Sequence, residues 1–313
     1  MAGANLPAKK YKKTAPTVLR LSFEGNGNET RYIHIARALS VINRKFYRQG
    51  LYYYVNSVEL YNNEDAFIDL HTIPDTWVTK NAWNRGFQLF QKMNAQVDTP
   101  RPKYHDFKVL MFGEAPTSTK APHTEANTMD PEMFGINSDF SSHSPDEWVY
   151  SKMTTMKSDG GQADEFTVAM LGDHRGQDGN YVTVGLIRSY GDTRSYPPVF
   201  GQPQLPSGVD TDPLATLFET SSDGAITDII DNLDDDNDLT PYAGQTYIGG
   251  SHNNMQHVAR LATSQTTGRV AKASGFCAPM GLICVDPQDT ATAYRVVINL
   301  AAGTYHGVYA ERA

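Results

Sequence analysis

The sequence predicts an all-β protein: a single jelly roll, or another antiparallel β-sandwich, with a few helices in the connections between strands. Three observations support this prediction. Short runs rich in β-branched and aromatic residues recur along the chain, several of them alternate apolar and polar residues, and clusters of Gly, Pro, Asn and Asp separate them. Nine such runs are enough for two packed antiparallel sheets.

The strand predictions come from runs with a period of two. The run near the C-terminus shows it most clearly, because Tyr294 and Val296 would face one side of a sheet and Arg295 the other. The predicted strands cover residues 17–23, 51–61, 66–73, 106–112, 147–156, 165–171, 181–190, 274–285 and 294–300.

Three predicted helices interrupt the β pattern. Residues 31–49 carry an apolar stripe at helical spacing, with Gly50 as the expected C-cap. Residues 79–94 carry an aromatic stripe, which we interpret as core. An isoleucine-rich stripe predicts a third helix over 223–233.

Positive charge is concentrated at the N-terminal end of an acidic chain. Residues 1–50 hold ten Lys/Arg and two Glu, whereas the other 263 residues hold 17 Lys/Arg and 33 Asp/Glu. Such asymmetry indicates an end that meets a polyanion. We therefore divide the chain into a flexible basic arm, residues 1–16, and a folded domain, residues 17–313. The candidate nucleic-acid-binding residues are Lys9, Lys10, Lys12, Lys13, Arg20, Arg37, Arg44 and Arg48.

Two other interpretations of the lysine cluster stay open. It could be a disordered tail that only keeps the protein soluble, or a nuclear-import signal. On the first predicted helix, Arg37, Arg44 and Arg48 fall largely on faces other than the apolar stripe. They could extend the charge of the arm towards a genome, or pair with acids of a neighbouring subunit.

The sequence contains no recognisable catalytic or cofactor-binding motif, so it predicts neither an enzyme nor a cofactor. Asp69 and His71 are two residues apart on a predicted strand and could support acid–base chemistry, but an ordinary polar outward face is the favoured interpretation. Cys277 and Cys284 lie in an apolar run and are expected to be core thiols in a reducing compartment. No apolar run approaches the roughly 20 residues that would cross a bilayer.

An acidic segment precedes the last predicted strands. Asp234, Asp236 and Asp238 are spaced like the start of a calcium loop, but Leu239 and Gln245 stand where such a loop has Gly and Glu. The segment is therefore not an EF-hand. A solvated acidic surface is favoured over a looser calcium site at these three aspartates.

Three stretches resemble the capsid proteins of small circular single-stranded DNA viruses: "YIHIARALSVINRKFYRQGLYYYV", "FIDLHTIPDTWVTKNAWNRGFQLFQKMN" and "VVINLAAGTYHGVYAERA". The resemblance implies a single jelly roll that assembles with copies of itself into an icosahedral shell around circular ssDNA. It also implies a protein of the virion, assembled in the nucleus or cytoplasm of a host cell. Many relatives, such as circoviruses, carry a long Arg-rich arm, whereas this arm has four lysines.

Two other classes of function stay open. A carbohydrate-binding jelly roll would use exposed aromatic residues, and the chain has 17 tyrosines. A hydrolase on a β scaffold would need a convergent catalytic site, which the sequence does not reveal. The carbohydrate-binding alternative leaves the basic arm unexplained.

Overall fold

The structure is a computed structural model that describes residues 15–95, 104–115, 120–135, 139–155, 164–173, 182–193, 255–266, 268–289 and 293–312. The strands in these ranges are β1 (Arg20–Gly25), β2 (Arg31–His34), β3 (Leu51–Tyr61), β4 (Ala66–Thr72), β5 (Leu110–Phe112), β6 (Glu132–Phe134), β7 (Phe140–Ser142), β8 (Lys152–Thr155), β9 (Asp164–Leu171), β10 (Thr183–Gly185), β11 (Gln256–Thr263), β12 (Val270–Ala278), β13 (Leu282–Asp289), β14 (Tyr294–Leu300), β15 (Ala302–Tyr305) and β16 (Ala310–Arg312). The helices are α1 (Ile35–Asn43), α2 (Trp77–Ala95) and α3 (Leu186–Asp192). Among the described residues, no helix combines the length and the apolar character needed to cross a bilayer.

Eight strands form the two sheets of a jelly roll. The first sheet contains the order β12-β3-β14-β1 and the second the order β11-β4-β13-β2. The chain behaves as one long hairpin rolled up on itself, because β1 pairs with β14, β2 with β13, β3 with β12 and β4 with β11, each antiparallel. The short strands β6, β7 and β16 extend the first sheet. The predicted jelly roll is confirmed.

The core lies between the two sheets. Leu21 and Phe23 project into it from β1, and Ile283 and Val285 from β13. The alternating residues of β14 also point inward: Tyr294, Val296, Ile298 and Leu300. Along β1, buried residues alternate with exposed or half-buried ones, and in β14 Arg295 and Asn299 interrupt the inward residues, so the period-two signal was readable in the sequence.

A long insertion between β4 and β11 forms a second layer. It contains α2, α3 and a small sheet in which β9 pairs antiparallel with β8 but parallel with β5 and β10. The sequence predicted only antiparallel strands, so these parallel pairs are a difference. The difference is visible in the burial of β9, where four consecutive residues are buried: Val168, Ala169, Met170 and Leu171. Both faces of β9 are covered, as in parallel sheets, and the alternation is lost.

The insertion packs on the outward face of the second jelly-roll sheet. Tyr32 projects outward from β2, and Leu282 and Cys284 from β13, into a second apolar cluster. Trp83 and Phe90 of α2 belong to the same cluster, so the aromatic stripe of this helix is core, as predicted. The second sheet is therefore covered on both sides along β2 and β13.

Three predicted elements differ from the structure in type or continuity, and the predicted strands over 106–112 and 147–156 are strands only over β5 and β8. Residues 31–34 form β2, and α1 ends at Asn43 with Arg44 as C-cap in the left-handed region (φ 52, ψ 37), so the expected cap at Gly50 is wrong. The predicted strand over 181–190 is a strand only as far as Gly185 and then becomes α3. The predicted strand over 274–285 is two strands, separated by a 3-10 turn at Pro279–Gly281. The predicted helix over 223–233 lies outside the described residues.

Candidate nucleic-acid interface

The first described residues run against the loop that follows α1. The Val18 N–H donates to Asn43 Oδ1 at 2.7 Å, and Lys45 Nζ donates to the Pro16 carbonyl oxygen at 3.1 Å. Thr17 Oγ1 lies 2.7 Å from the Tyr47 hydroxyl oxygen. These contacts fix the point at which the predicted arm, residues 1–16, joins the folded domain.

Three exposed cations surround this junction, and we call Arg44, Lys45 and Arg48 the arm-base cluster. The Arg48 backbone N–H donates to the Tyr305 hydroxyl at 2.9 Å, which holds the loop while the guanidinium stays exposed. Within the described ranges, no acidic side chain lies within ion-pair distance of these three residues. Two of the three, Arg44 and Arg48, were predicted from the sequence.

A fourth cation lies among aromatic rings close to the cluster. Lys108 Nζ lies 4.5 Å from the centroid of the Trp148 ring and 5.8 Å from that of Phe46, the residue after Lys45. Burial lowers the pKa of Lys108, and the negative charges of Asp106 and Glu147 oppose this shift. Burial also raises the pKa of Asp106, which Arg48 and Lys108 partly counter. Asp106 thus lies near Arg48 and Lys108, and Glu147 lies near Lys108.

Arg37 does not belong to this surface. Its side chain is buried, and its Nη2 lies 2.9 Å from Asp130 Oδ1 of the insertion. The expectation that Arg37 would lie on an open face of α1 is therefore wrong. The helix turns that face towards the insertion, because Tyr32 in the preceding strand exchanges backbone hydrogen bonds with Asn127 and Met129.

Arg20 is exposed on the outward face of the first sheet, but its guanidinium is paired with an acidic side chain. Arg20 Nη2 donates to Glu59 Oε2 at 2.9 Å. Glu59 also lies within 3.6 Å of Lys272 Nζ, so two cations share one carboxylate. The other predicted binding residues, Lys9, Lys10, Lys12 and Lys13, and the candidate calcium ligands Asp234, Asp236 and Asp238, lie outside the described residues.

His34 sets the start of α1. Its Nδ1 accepts the Arg37 backbone N–H at 3.1 Å, which caps the helix and leaves the proton of the neutral ring on Nε2. Burial lowers the pKa of His34 to about 3, and the positive charges of Arg37 and Lys108 act in the same direction. The ring packs edge-on against Trp148 with centroids 5.0 Å apart. A neutral histidine thus orients the helix that leads to the arm-base cluster.

Asp69 and His71 lie on the outward face of the second sheet. Both Asp69 carboxylate oxygens accept from Arg260 at 2.7 Å, and these bonds hold the pKa of Asp69 below its usual value. His257 Nε2 lies 3.4 Å from Asp69 Oδ1, and the His71 and His257 rings meet edge-on. A carboxylate fixed by a guanidinium is a poor proton carrier, which favours the polar-face interpretation. Among the described residues, no group of three or more His, Cys, Asp or Glu is arranged to hold a metal ion.

The two cysteines belong to the second apolar cluster. Cys284 is buried and Cys277 half-buried, and neither forms a disulfide. Burial raises the pKa of both thiols to about 12. Both are therefore protonated, unreactive core residues, as expected from the apolar run around them.

Sequence reasoning missed part of the interface. Lys45 stands in the same short run as Arg44 and Arg48 and could have been included on that ground. Lys108 and Tyr104 lie about 60 residues further along the chain, and only the tertiary fold brings them to Phe46.

No protein-family model, no curated protein and no solved structure matches this chain.

Proposed function

We propose that this protein is the structural subunit of an icosahedral virus shell, and that it packages single-stranded DNA through its basic N-terminal arm. The observation that carries the proposal is the contact between Lys45 and Pro16. Pro16 follows the last lysine of the arm by three residues in the chain, so the contact places the end of the arm against a second group of cations on the folded domain. The resulting basic region would be continuous and would belong to an otherwise acidic protein.

The fold is compatible with this role but does not select it, because jelly rolls occur in capsid proteins and in lectins alike. The distribution of charge supports the capsid role. The exposed outward face of the first sheet carries cations that already have acidic partners, such as Arg20 with Glu59 and Arg295 with Glu24. Cations that are already paired attract a polyanion less than the cations of the arm-base cluster, for which the described ranges show no ion pair, and this difference favours the arm and its base as the binding region.

Phosphate contacts predict a measurable salt dependence. On a single strand, each neutralised phosphate contributes about −0.7 to the slope of log affinity against log salt concentration. The four arm lysines therefore correspond to a slope of about −3, and the arm-base cluster adds about −2. Because phosphates carry no sequence information, binding should show little sequence preference.

The test is to purify the full chain and follow its assembly by sedimentation and negative-stain electron microscopy, with extraction of any nuclease-protected DNA. We expect closed, symmetric particles that contain DNA. Replacing Lys9, Lys10, Lys12 and Lys13 with Gln should leave particles that hold less DNA. A strictly monomeric protein at high concentration, across pH and salt, would overturn the proposal.

A further inference from the structure

One exposed aromatic side chain stands beside the arm-base cluster. Tyr104 is 57 % exposed, and its ring meets the half-buried Phe46 ring edge-on with centroids 5.8 Å apart. Phe46 in turn packs against the buried Trp148, with centroids 6.3 Å apart. Exposure decreases from Tyr104 to Phe46 to Trp148. Tyr104 is therefore a surface ring that packs against a ring anchored in the core.

Cations flank this ring series on two sides. Lys45 directly precedes Phe46 in the chain, and Arg44 and Arg48 lie within two residues of it. On the other side, Lys108 Nζ lies 5.8 Å from the centroid of the Phe46 ring. Asp106 lies near Arg48 and Lys108 and offsets part of this positive charge, and burial raises the pKa of its carboxyl.

This combination suits one class of nucleic acid. Cations alone attract any polyanion, including duplex DNA, whereas an exposed aromatic face also takes up an unpaired base by stacking. In a duplex the bases are already stacked on one another and cannot reach a side chain at the surface. An exposed aromatic ring among cations therefore favours binding of single strands over binding of duplexes.

We infer that Tyr104 is a base-stacking residue for single-stranded nucleic acid, and that the arm-base cluster holds the phosphates on either side of the stacked base. The inference rests on the proposed function, and it goes beyond it in naming the contact that would select single strands. Phe46 fixes the orientation of the Tyr104 ring and makes no contact with the base itself.

The test measures binding of the full-length protein to three fluorescent probes: an oligothymidylate, a strand of the same length without bases, and a duplex. Tyr104→Ala should weaken oligothymidylate binding about five-fold or more, because stacking on one aromatic ring contributes at least that factor. Tyr104→Phe should bind like the parent protein. Binding to the strand without bases should be the same for all three proteins.

A matched control is Phe67→Ala, which removes another exposed aromatic ring, 44 % exposed on β4. It should leave all three affinities unchanged. Equal losses on the strands with and without bases, or no loss for Tyr104→Ala, would overturn the stacking role. Failure of the proposed function is a different result: replacing the four arm lysines would then leave the salt slope unchanged, and no particles would form.

Discussion

Arg37 and Asp130 form an ion pair within a single chain. The Arg37 Nη2 lies 2.9 Å from Asp130 Oδ1, and the two side chains are 5 % and 21 % exposed. The Arg37 Nε and Nη1 atoms are buried and have no hydrogen-bond partner among the described residues. The three arginines predicted for one helix are therefore not equivalent, because Arg37 links α1 to the insertion whereas Arg44 and Arg48 face solvent.

Arg37→Gln should destabilise the isolated subunit by about 3 kcal/mol, since it leaves the Asp130 charge without its partner in a largely dry site. The measurement is urea unfolding of dissociated subunits. Replacing both partners, Arg37→Met with Asp130→Asn, should recover most of the loss, because no lone charge remains. A loss no larger than that of the exposed control Arg48→Gln would contradict the structural role.

Arg44→Gly should raise stability while weakening binding to nucleic acid. Arg44 adopts φ 52 at the end of α1, a conformation that costs a non-glycine residue about 1 kcal/mol and costs glycine little. The unfolding free energy should rise by about that amount, and the salt slope of binding should flatten by about 0.7. The control Arg48→Gln also removes one positive charge of the arm-base cluster, but it leaves the left-handed backbone at Arg44 unchanged. It should therefore flatten the salt slope without raising the unfolding free energy.

Mild acid should destabilise the subunit through two buried histidines. Burial lowers the pKa of His34 to about 3 and that of His123 well below its ordinary value. In the unfolded chain each takes up a proton near pH 6.5, whereas the folded protein does not, so stability falls as the pH drops below about 6.5. From pH 7 to pH 5 the loss should be about 2 kcal/mol per histidine.

The measurement is urea unfolding of dissociated subunits over this pH range. His34→Gln and His123→Gln should each lower stability at pH 7, and each should make the pH dependence shallower by about one proton. A variant that keeps the full pH dependence of the parent would assign the acid sensitivity to other groups.

Asp69→Asn should remove a modest stabilising contact on the outward face of the second sheet. The pair with Arg260 has good geometry, but the Arg260 side chain is 59 % exposed, so the expected loss is only about 1 kcal/mol at neutral pH. Arg260 lowers the pKa of Asp69, so this contribution is present above about pH 4 and disappears as the pH falls through the lowered value. Unfolding curves of both proteins from pH 7 to pH 3 should therefore converge in acid.

The sequence by itself determined the elements that have one buried and one exposed face. The bounds predicted for β3 and β14 agree with the structure residue for residue. In β14 the cause is plain, because Tyr294, Val296, Ile298 and Leu300 point into the core while Arg295 and Asn299 do not. The aromatic stripe of α2 was likewise readable, since one side of that helix packs on the second cluster. The charge asymmetry of the chain also needed no structure, because it depends on composition alone.

Only the tertiary structure decided which polar positions are buried. Helical spacing places Arg37 away from the apolar stripe, but a segment some 90 residues further along the chain covers that face and supplies Asp130. The parallel pairing of β9 and the approach of Tyr104 and Lys108 to Phe46 also depend on this insertion. Local periodicity reports which residues share a face of an element. It carries no information on what distant part of the chain will pack against that face, because such contacts depend on how the whole chain folds.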